Sequence, residues 1–230
     1  MKKKLNHCAA CVLIESEGTG EVLSNIYDNT YPIKIYRGNL NLLGGGKDLL
    51  DISPSYVIRR EIDEEFSPEK NTKLDVAYKR VLKNKDYNLP QMRKSASKED
   101  ISLIKSQILN GMVPFQDFII TIPDSEKDLK LKYRDILFNI FYSKLSKDAF
   151  NLIRRNLEEG RSLVNDGHLT ITPLEGIISG NILTAWATGK ALEAYFNESI
   201  PDPLGIGSEK IGKPRGSYKE YLDDFDFNVF

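Results

Sequence analysis

Short apolar runs separated by glycine, proline and polar residues predict a chain of intermixed strands and helices. Short runs rich in Val, Ile, Leu and Phe are typical of strands, whereas apolar residues three or four positions apart are typical of helices. The predicted strands are 7–14, 21–27, 33–36, 118–122, 135–142 and 168–172. The predicted helices are 53–66, 98–110, 146–157 and 181–196. This order of elements predicts the α/β (or α+β) class.

The segment 53–66 carries the most complete helix signal. Ser53 is a suitable N-cap, and Pro54 occupies the first helical position, where a missing N–H is tolerated. Its apolar residues recur every four positions, at Ile58, Ile62 and Phe66. This stripe would hold the helix on a sheet, and the helix is expected to stop before Pro68.

The predicted organisation is a single domain, residues 1–200, with an insertion at about 70–112 and a C-terminal tail at 201–230. The basic residues of the insertion are Lys79, Arg80, Lys83, Lys85, Arg93 and Lys94. Two interpretations stay open for it: a helical insertion whose charges face water, or a basic rim that holds substrate phosphates. The tail is expected to be ordered only by docking.

Composition and charge exclude several classes of protein. The net charge is −1, from 32 basic and 33 acidic residues, so the chain as a whole does not attract nucleic acid or acidic membranes. No apolar stretch is long enough to span a bilayer. Cys8 and Cys11 lie inside an apolar run and are expected to be reduced core residues. The sequence therefore predicts a cytoplasmic protein.

An acid cluster lies on the helix 53–66. Glu61, Glu64 and Glu65 are three and four residues apart, so their side chains share one face. Like charges at this spacing destabilise a helix by a few tenths of a kcal/mol per pair, and a bound cation would reverse that effect. Carboxylate oxygens are ligands that Mg²⁺ prefers. A solvated acidic face balanced by Arg59 and Arg60 is the alternative.

The residues from Gly46 to Glu65 resemble the Nudix box. That signature is a glycine, five residues, a glutamate, seven residues, and then Arg-Glu-aliphatic-x-Glu-Glu-x-Gly-aliphatic. Six residues match it in register: Gly46, Arg60, Glu61, Ile62, Glu64 and Glu65. The departures are Ile52 in place of the first glutamate, with Asp51 beside it, and Ser67 and Pro68 in place of the glycine and the aliphatic residue.

The resemblance implies a mixed β-sheet between helices and a metal-dependent hydrolase. It implies that the metal, Mg²⁺ with Mn²⁺ as a substitute, is held by Gly46, Glu61, Glu64 and Glu65, and that Arg60 orients a glutamate. The loss of the first glutamate at Ile52 bears on efficiency or metal arrangement more than on the class of reaction.

The general base and the substrate contacts are less defined by the sequence. The base is one of the three glutamates or an acid from a later loop, for which Glu158 and Glu159 are the candidates; an ordinary helix end capped by Gly160 is equally compatible. Lys47 and Arg161 are the cations predicted to bind substrate. His168 and Trp186 are interpreted as structural residues.

The favoured function is a pyrophosphohydrolase that cleaves a phosphoanhydride bond in a nucleoside diphosphate derivative, such as a nucleotide sugar, ADP-ribose, a dinucleotide or an NTP. Two alternatives remain: a catalytically weak nucleotide sensor, suggested by Ile52, and an RNA-end processing enzyme, suggested by the basic stretch 79–94. The near-neutral charge argues against nucleic acid as a partner. A nucleotide-type small molecule is the expected partner, and a homodimer stays open.

Overall fold

The computed structural model describes residues 7–27, 31–67, 92, 94–121, 135–165, 167–201 and 207–211. Within these ranges ten strands are formed: β1 His7–Ser16, β2 Glu21–Ile26, β3 Leu40–Asn41, β4 Leu43–Gly46, β5 Lys94–Ser95, β6 Val113–Thr121, β7 Asp135–Leu145, β8 Arg161–Ser162, β9 His168–Pro173 and β10 Gly207–Ile211. The described helices are α1 Pro54–Glu65, α2 Lys98–Gly111, α3 Lys147–Glu158, α4 Leu174–Ile178 and α5 Thr188–Phe196.

Eight of the strands form one mixed sheet. Its main order is β10-β6-β7-β1-β2-β3, with β4 paired to β1 and β9 paired to β2. Strand β1 runs parallel to β7 along its whole length. Its other edge is divided, because residues 9–12 pair with β4 and residues 14–15 pair with β2. The division places the glycine-rich β4 beside the first half of the central strand.

The sheet is buried on both faces, which explains the unbroken apolar run of β1. Ala10, Val12 and Ile14 face a core shared with α1, α2 and α3. Cys11 and Leu13 face a second core that contains residues of β2, β3 and α5. The predicted class, a mixed sheet between helices, is therefore confirmed. None of the described helices combines the length and apolarity needed to cross a membrane.

Most predicted elements are found within a few residues of their expected bounds, but two predictions were wrong. Residues 33–36 contain a 3-10 turn, Lys34–Tyr36, instead of a strand; their alternation reflects burial of Ile33 and Tyr36 in a turn. The last helix begins at Thr188 rather than 181. The apolar residues before it line a loop that bonds to β3 through Leu40.

Part of the predicted insertion belongs to the core. Ser97 caps α2 by accepting a hydrogen bond from the N–H of Asp100, and Ile101, Ile104 and Ile108 are buried between α1, α3 and the sheet. Residues 98–111 are therefore a core helix rather than a solvated insertion, because their apolar residues lie three and four positions apart. The basic residues at 79, 80, 83, 85 and 93 lie outside the described residues, and Lys94 is exposed.

A segment of the predicted tail is part of the sheet. Strand β10 pairs antiparallel with β6, from Gly207 opposite Thr121 to Ile211 opposite Asp117. It covers the edge that β6 would otherwise expose, and an open strand edge is a site for unwanted pairing. The fold therefore continues past residue 200.

Candidate active site

Helix α1 begins and packs as its sequence predicts. Ser53 accepts a hydrogen bond from the N–H of Tyr56 at 3.2 Å, and Pro54 is the first helical residue. The stripe Ile58, Ile62 and Phe66 is buried in the core below the sheet. With this stripe packed in the core, the acid face of α1 is directed toward β4.

Strand β4 lies close to α1 at Gly45. A β-carbon built on Gly45 would lie 2.5 Å from both carboxylate oxygens of Glu61, so only glycine leaves room for this carboxylate. Gly44 has φ +135, and a β-carbon there would collide with the backbone of β1. Two of the three glycines thus allow β4 to approach both the central strand and the acid helix closely.

Arg60 lies at the centre of the acid cluster. Its Nη2 donates to the carbonyl of Gly46 at 2.9 Å. Its Nη1 is 2.8 Å from Oε1 of Glu61 and 3.3 Å from Oε2 of Glu64. These four residues, predicted from the sequence to form one site, are brought together in space.

The remaining edge of Arg60 binds Asp51. Nε lies 3.2 Å from Oδ1 and Nη2 lies 2.9 Å from Oδ2 of that residue, the two-bond geometry that arginine makes with a carboxylate. The N–H of Asp48 also donates to Asp51, at 2.7 Å. Asp51 is 3% exposed, whereas its neighbour Ile52 is 74% exposed. The side chain at the signature position therefore faces solvent.

The charge of Glu65 acts on Cys11 and Tyr27. Burial, and then the nearby charges of Glu65 and Glu61, raise the pKa of the Cys11 thiol. The backbone carbonyls at the end of α1 are capped by Asn165, whose side-chain amide donates to Glu64 O at 2.6 Å and whose N–H donates to Glu65 O at 2.8 Å. The end of the helix is thus held by the loop that precedes β9.

Charges in this cluster shift the acid strengths in opposite directions. The hydrogen bonds from Arg60 hold the pKa of Asp51 below its usual value. Burial raises the pKa of Glu61, although Arg60 opposes the shift. Hydrogen bonding to Asp51 in turn raises the pKa of Arg60. Asp51 and Arg60 therefore stay charged together, while Glu61 is the acid with the greater tendency to hold a proton.

A cavity of about 280 Å³ opens beside β4. Its wall includes the backbone of Gly44, Gly45 and Gly46, and residues of five other parts of the fold contribute side chains to it. Its rings are His7, Tyr27, Tyr31, Phe138 and Trp186. Because β4 and the neighbouring Cys11 lie in its wall, the cavity borders the acid cluster.

Trp186 lines the cavity from a turn with unusual backbone geometry. Its φ is +50, a conformation that bulky residues rarely adopt. The turn is held to β3 by the hydrogen bond from Ala185 N to Leu40 O, and the indole N–H donates to the Tyr31 hydroxyl at 3.0 Å. Trp186 therefore packs partly in the core, as predicted, and also presents its ring to the cavity.

The donor set around Arg60 suits a hard divalent cation in kind, because it consists of carboxylate and carbonyl oxygens. Among the described residues, however, no three Asp, Glu, His or Cys side chains are arranged to hold a metal ion. The guanidinium of Arg60 contacts Gly46, Glu61 and Glu64 instead. A cation at this site would have to share or replace those contacts.

The other predicted site residues lie in different surroundings. Glu159 forms an ion pair with Arg161 at the end of α3, where Gly160, with φ +67, ends the helix. The segment that follows contacts α1 through Asn165. Glu159 and Arg161 are not among the described contacts of the acid cluster. Lys47 follows β4, and its N–H donates to Cys8 O at 2.9 Å.

Two further predictions concern buried polar residues. Cys8 and Cys11 are free thiols buried in β1, and burial raises the pKa of Cys8 to about 12, so neither has the thiolate character that reactivity requires. His168 is 2% exposed within β9, which agrees with a structural role.

Sequence reasoning missed the role of Asp51 and the aromatic cavity. Asp51 carried a weak signal, an acid next to the substituted signature position. The cavity carried none, since its rings come from β1, the loop after β2, β7 and the turn before α5.

No protein-family model matches the chain, and no curated protein matches its sequence. Solved structures do resemble it. The E. coli dihydroneopterin triphosphate pyrophosphohydrolase aligns with a TM-score of 0.42 and 14% identity, over 82% of this chain and 93% of that one. The MutT protein from Methanosarcina mazei Go1 aligns at 0.41 and 15% identity, over 86% and 96%.

A mutT/nudix family protein from Listeria innocua also aligns, with a TM-score of 0.40 and 13% identity, over 83% of this chain and 89% of that one. These TM-scores are all below 0.5, so the function of this chain has to be inferred from its own site.

Proposed function

We propose that the protein is a metal-dependent pyrophosphohydrolase that cleaves a phosphoanhydride bond in a nucleoside diphosphate derivative. The observation that carries the proposal is the position of the acid face of α1, which meets the glycine strand β4 next to an aromatic cavity. Gly46, Glu61, Glu64 and Glu65 are the proposed metal ligands. Mg²⁺ or Mn²⁺, when bound, would neutralise phosphate oxygens and lower the pKa of a water.

The side chains of the site have separate tasks in this proposal. Glu61 lies against Gly45, with its carboxylate in the space that a β-carbon at that position would occupy. Burial raises its pKa in the metal-free protein, and one of Glu61, Glu64 and Glu65 is the proposed proton acceptor. Arg60 balances the negative charge of the cluster before substrate arrives. Glu159 as an alternative base, and Lys47 and Arg161 as phosphate contacts, remain proposals.

The size of the cavity supports a nucleotide-type substrate. About 280 Å³ is slightly below the usual range of ligand pockets, about 300–1,000 Å³, so it fits a flat ring better than a whole nucleotide. A heterocycle that contacts Trp186 or Tyr27 would leave its phosphates outside the cavity, along β4. That direction leads to the carboxylates of α1, where the bond would be cleaved.

The decisive experiment is turnover of a substrate panel with Mg²⁺. The purified chain is incubated with nucleotide sugars, ADP-ribose, dinucleotides and nucleoside triphosphates, and the products are separated by chromatography. We expect one class to yield a nucleoside monophosphate or a released pyrophosphate, and EDTA to stop the reaction. Absence of metal-dependent products across the panel would refute the proposal.

A nucleotide sensor is the second candidate, and one observation favours it. Among the described residues, no three acids are arranged to hold a metal ion. Arg60 occupies the centre of the cluster instead. A sensor would bind nucleotide in the cavity without turnover. The fluorescence of Trp186, the single tryptophan of the chain, would then change on binding while no product formed.

A further inference from the structure

The carboxylate that binds Arg60 lies one residue before the position at which the signature places its glutamate. Ile52, at the signature position, points into solvent. Asp51 is buried and makes two contacts with Arg60, at 3.2 and 2.9 Å. The hydrogen bond from Asp48 N to Asp51 fixes this carboxylate from the other side. The loop before α1 therefore supplies Arg60 with a partner that lies outside the acid face.

Arg60 has two edges with different partners. Nε and Nη2 face Asp51, and Nη1 faces Glu61 and Glu64. Asp51, on the first edge, is a residue that the proposed function does not assign to the metal, although Nη2 on that edge also donates to Gly46 O. The second edge contacts two of the residues that it does assign.

We propose that Asp51 is a positioning residue, which binds one edge of Arg60 and so keeps Arg60 paired when Glu61 and Glu64 exchange their contact with Nη1 for a divalent cation. The inference rests on the proposed function. It gives the chain a replacement for the absent signature glutamate, displaced by one residue.

The physical reason is competition for a single set of oxygens. A partly buried guanidinium needs carboxylate partners, and a charge left unpaired there is costly. Without Asp51, Arg60 would bind Glu61 and Glu64 more tightly, and a cation would have to displace it from both. With Asp51 present, Arg60 keeps a full ion pair after those two acids are given to the metal.

The test measures cation binding directly. Mn²⁺ is titrated into the full chain by calorimetry for the wild type, Asp51→Asn and the matched control Asp63→Asn, an exposed acid of α1 that pairs with Lys105. We expect Asp51→Asn to weaken Mn²⁺ binding by about 10–100-fold, the usual effect of losing a residue of the hydrogen-bond network around metal ligands. The control is expected to bind as the wild type does, within about twofold.

Kinetics separate positioning from simple loss of structure. With the best substrate of the panel, Asp51→Asn should lower kcat by a similar ~10–100-fold while KM changes little, because Asp51 is not placed against substrate. Asp51→Glu, which restores the charge, should recover most of the affinity for Mn²⁺. In an Arg60→Gln background, Asp51→Asn should add little to the loss, since Asp51 acts through Arg60.

Several outcomes would overturn the inference. One is a folded Asp51→Asn protein that binds Mn²⁺ as the wild type does; another is an equal loss in the Arg60→Gln background. If Asp51→Asn does not fold, Arg60→Lys keeps the charge but cannot make the two-bond contact, and unchanged Mn²⁺ affinity in that variant would contradict the proposal.

The inference and the proposed function fail in different ways. Wild-type turnover together with an unaffected Asp51→Asn variant would overturn the inference alone. Wild-type Mn²⁺ binding that is weakened in Asp51→Asn, without hydrolysis of any anhydride, would support the inference and overturn the hydrolase. A wild type that binds no Mn²⁺ would overturn both.

Discussion

At the scale of single residues, the acids of α1 differ in surroundings although they are neighbours in sequence. Glu61 and Glu64 contact Arg60. Asp63, between them, pairs with Lys105 of α2 at 2.9 Å and is exposed. Substitutions that remove one charge at a time should therefore separate residues of the site from residues of the surface.

Glu64→Gln and Glu65→Gln are expected to lower kcat by about 100-fold or more, because metal-ion stabilisation is worth several kcal/mol and each 1.36 kcal/mol is a factor of ten. Stability should change little, since a pair of like charges on the helix is relieved. Asp63→Asn is expected to cost less than about threefold in kcat, because a surface ion pair contributes little. Steady-state kinetics check all three, and equal damage from Asp63→Asn would show that the assigned helical face is wrong.

Glu61 should make the stability of the metal-free protein depend on pH. Because burial raises its pKa in the folded state, the protonated acid contributes stability below the unfolded pKa, about 4.3. That contribution is lost as the pH rises through the folded pKa. We expect the free energy of unfolding of the wild type in EDTA, relative to Glu61→Gln, to fall across this window. Urea unfolding at pH values from about 4 upward measures it; a difference that rises with pH would contradict the shift.

At the scale of elements, the packing of β4 against α1 depends on glycine in the strand. Gly45→Ala would place a methyl group on the Glu61 carboxylate and push that acid away from its position. Activity is expected to fall by at least ~10-fold, since misplacement of a reacting group by about 1 Å can cost 100-fold. Gly111→Ala is the control, because its β-carbon would meet the Ser143 hydroxyl at 3.2 Å, in a different part of the fold. Equal kcat for Gly45→Ala and wild type would show that Glu61 is not held in this way.

Helix α2 contributes to the core that supports α1. Ile104 is fully buried, while Leu103 beside it is 49% exposed. Ile104→Ala is therefore expected to lower the free energy of unfolding by about 2–4 kcal/mol, and Leu103→Ala by less than about 0.5–1 kcal/mol. Chemical denaturation gives both values.

We also expect an isolated 70–112 segment not to fold cooperatively, because its described apolar face is buried against other elements. Cooperative unfolding of that segment would refute this.

At the scale of the whole molecule, the cavity and the acid cluster should act as one site. A substrate that spans both should stabilise the protein more in the presence of Mg²⁺ than in EDTA. A ligand at about 100 times its Kd adds about 2.7 kcal/mol, which is readily seen as a rise in Tm. The emission of Trp186 should change in the same titration, since its ring lines the cavity. Full turnover in excess chelator would contradict metal dependence. A rise in Tm without a change in Trp186 emission would show that the substrate does not contact this ring.

The sequence by itself determined the features that depend on residues close along the chain. The cap Ser53-Pro54 and the stripe Ile58-Ile62-Phe66 predicted the bounds and the buried face of α1 correctly. The spacing of Glu61 and Glu64 predicted that both would lie on one side of the helix, because positions three or four apart share a face. The apolar run of β1 likewise predicted a core strand.

Only the tertiary structure decided which residues approach one another from distant parts of the chain. Nothing local indicates that Asp51, and not Ile52, turns inward, since that depends on where Arg60 lies after α1 packs. The cavity is lined by residues of β1, β4, β7 and other distant segments, and by Trp186 in a turn that is bonded to β3. Burial of Ile104 required α1 and α3 as neighbours. Such contacts follow from long-range packing, which a local pattern of residues does not contain.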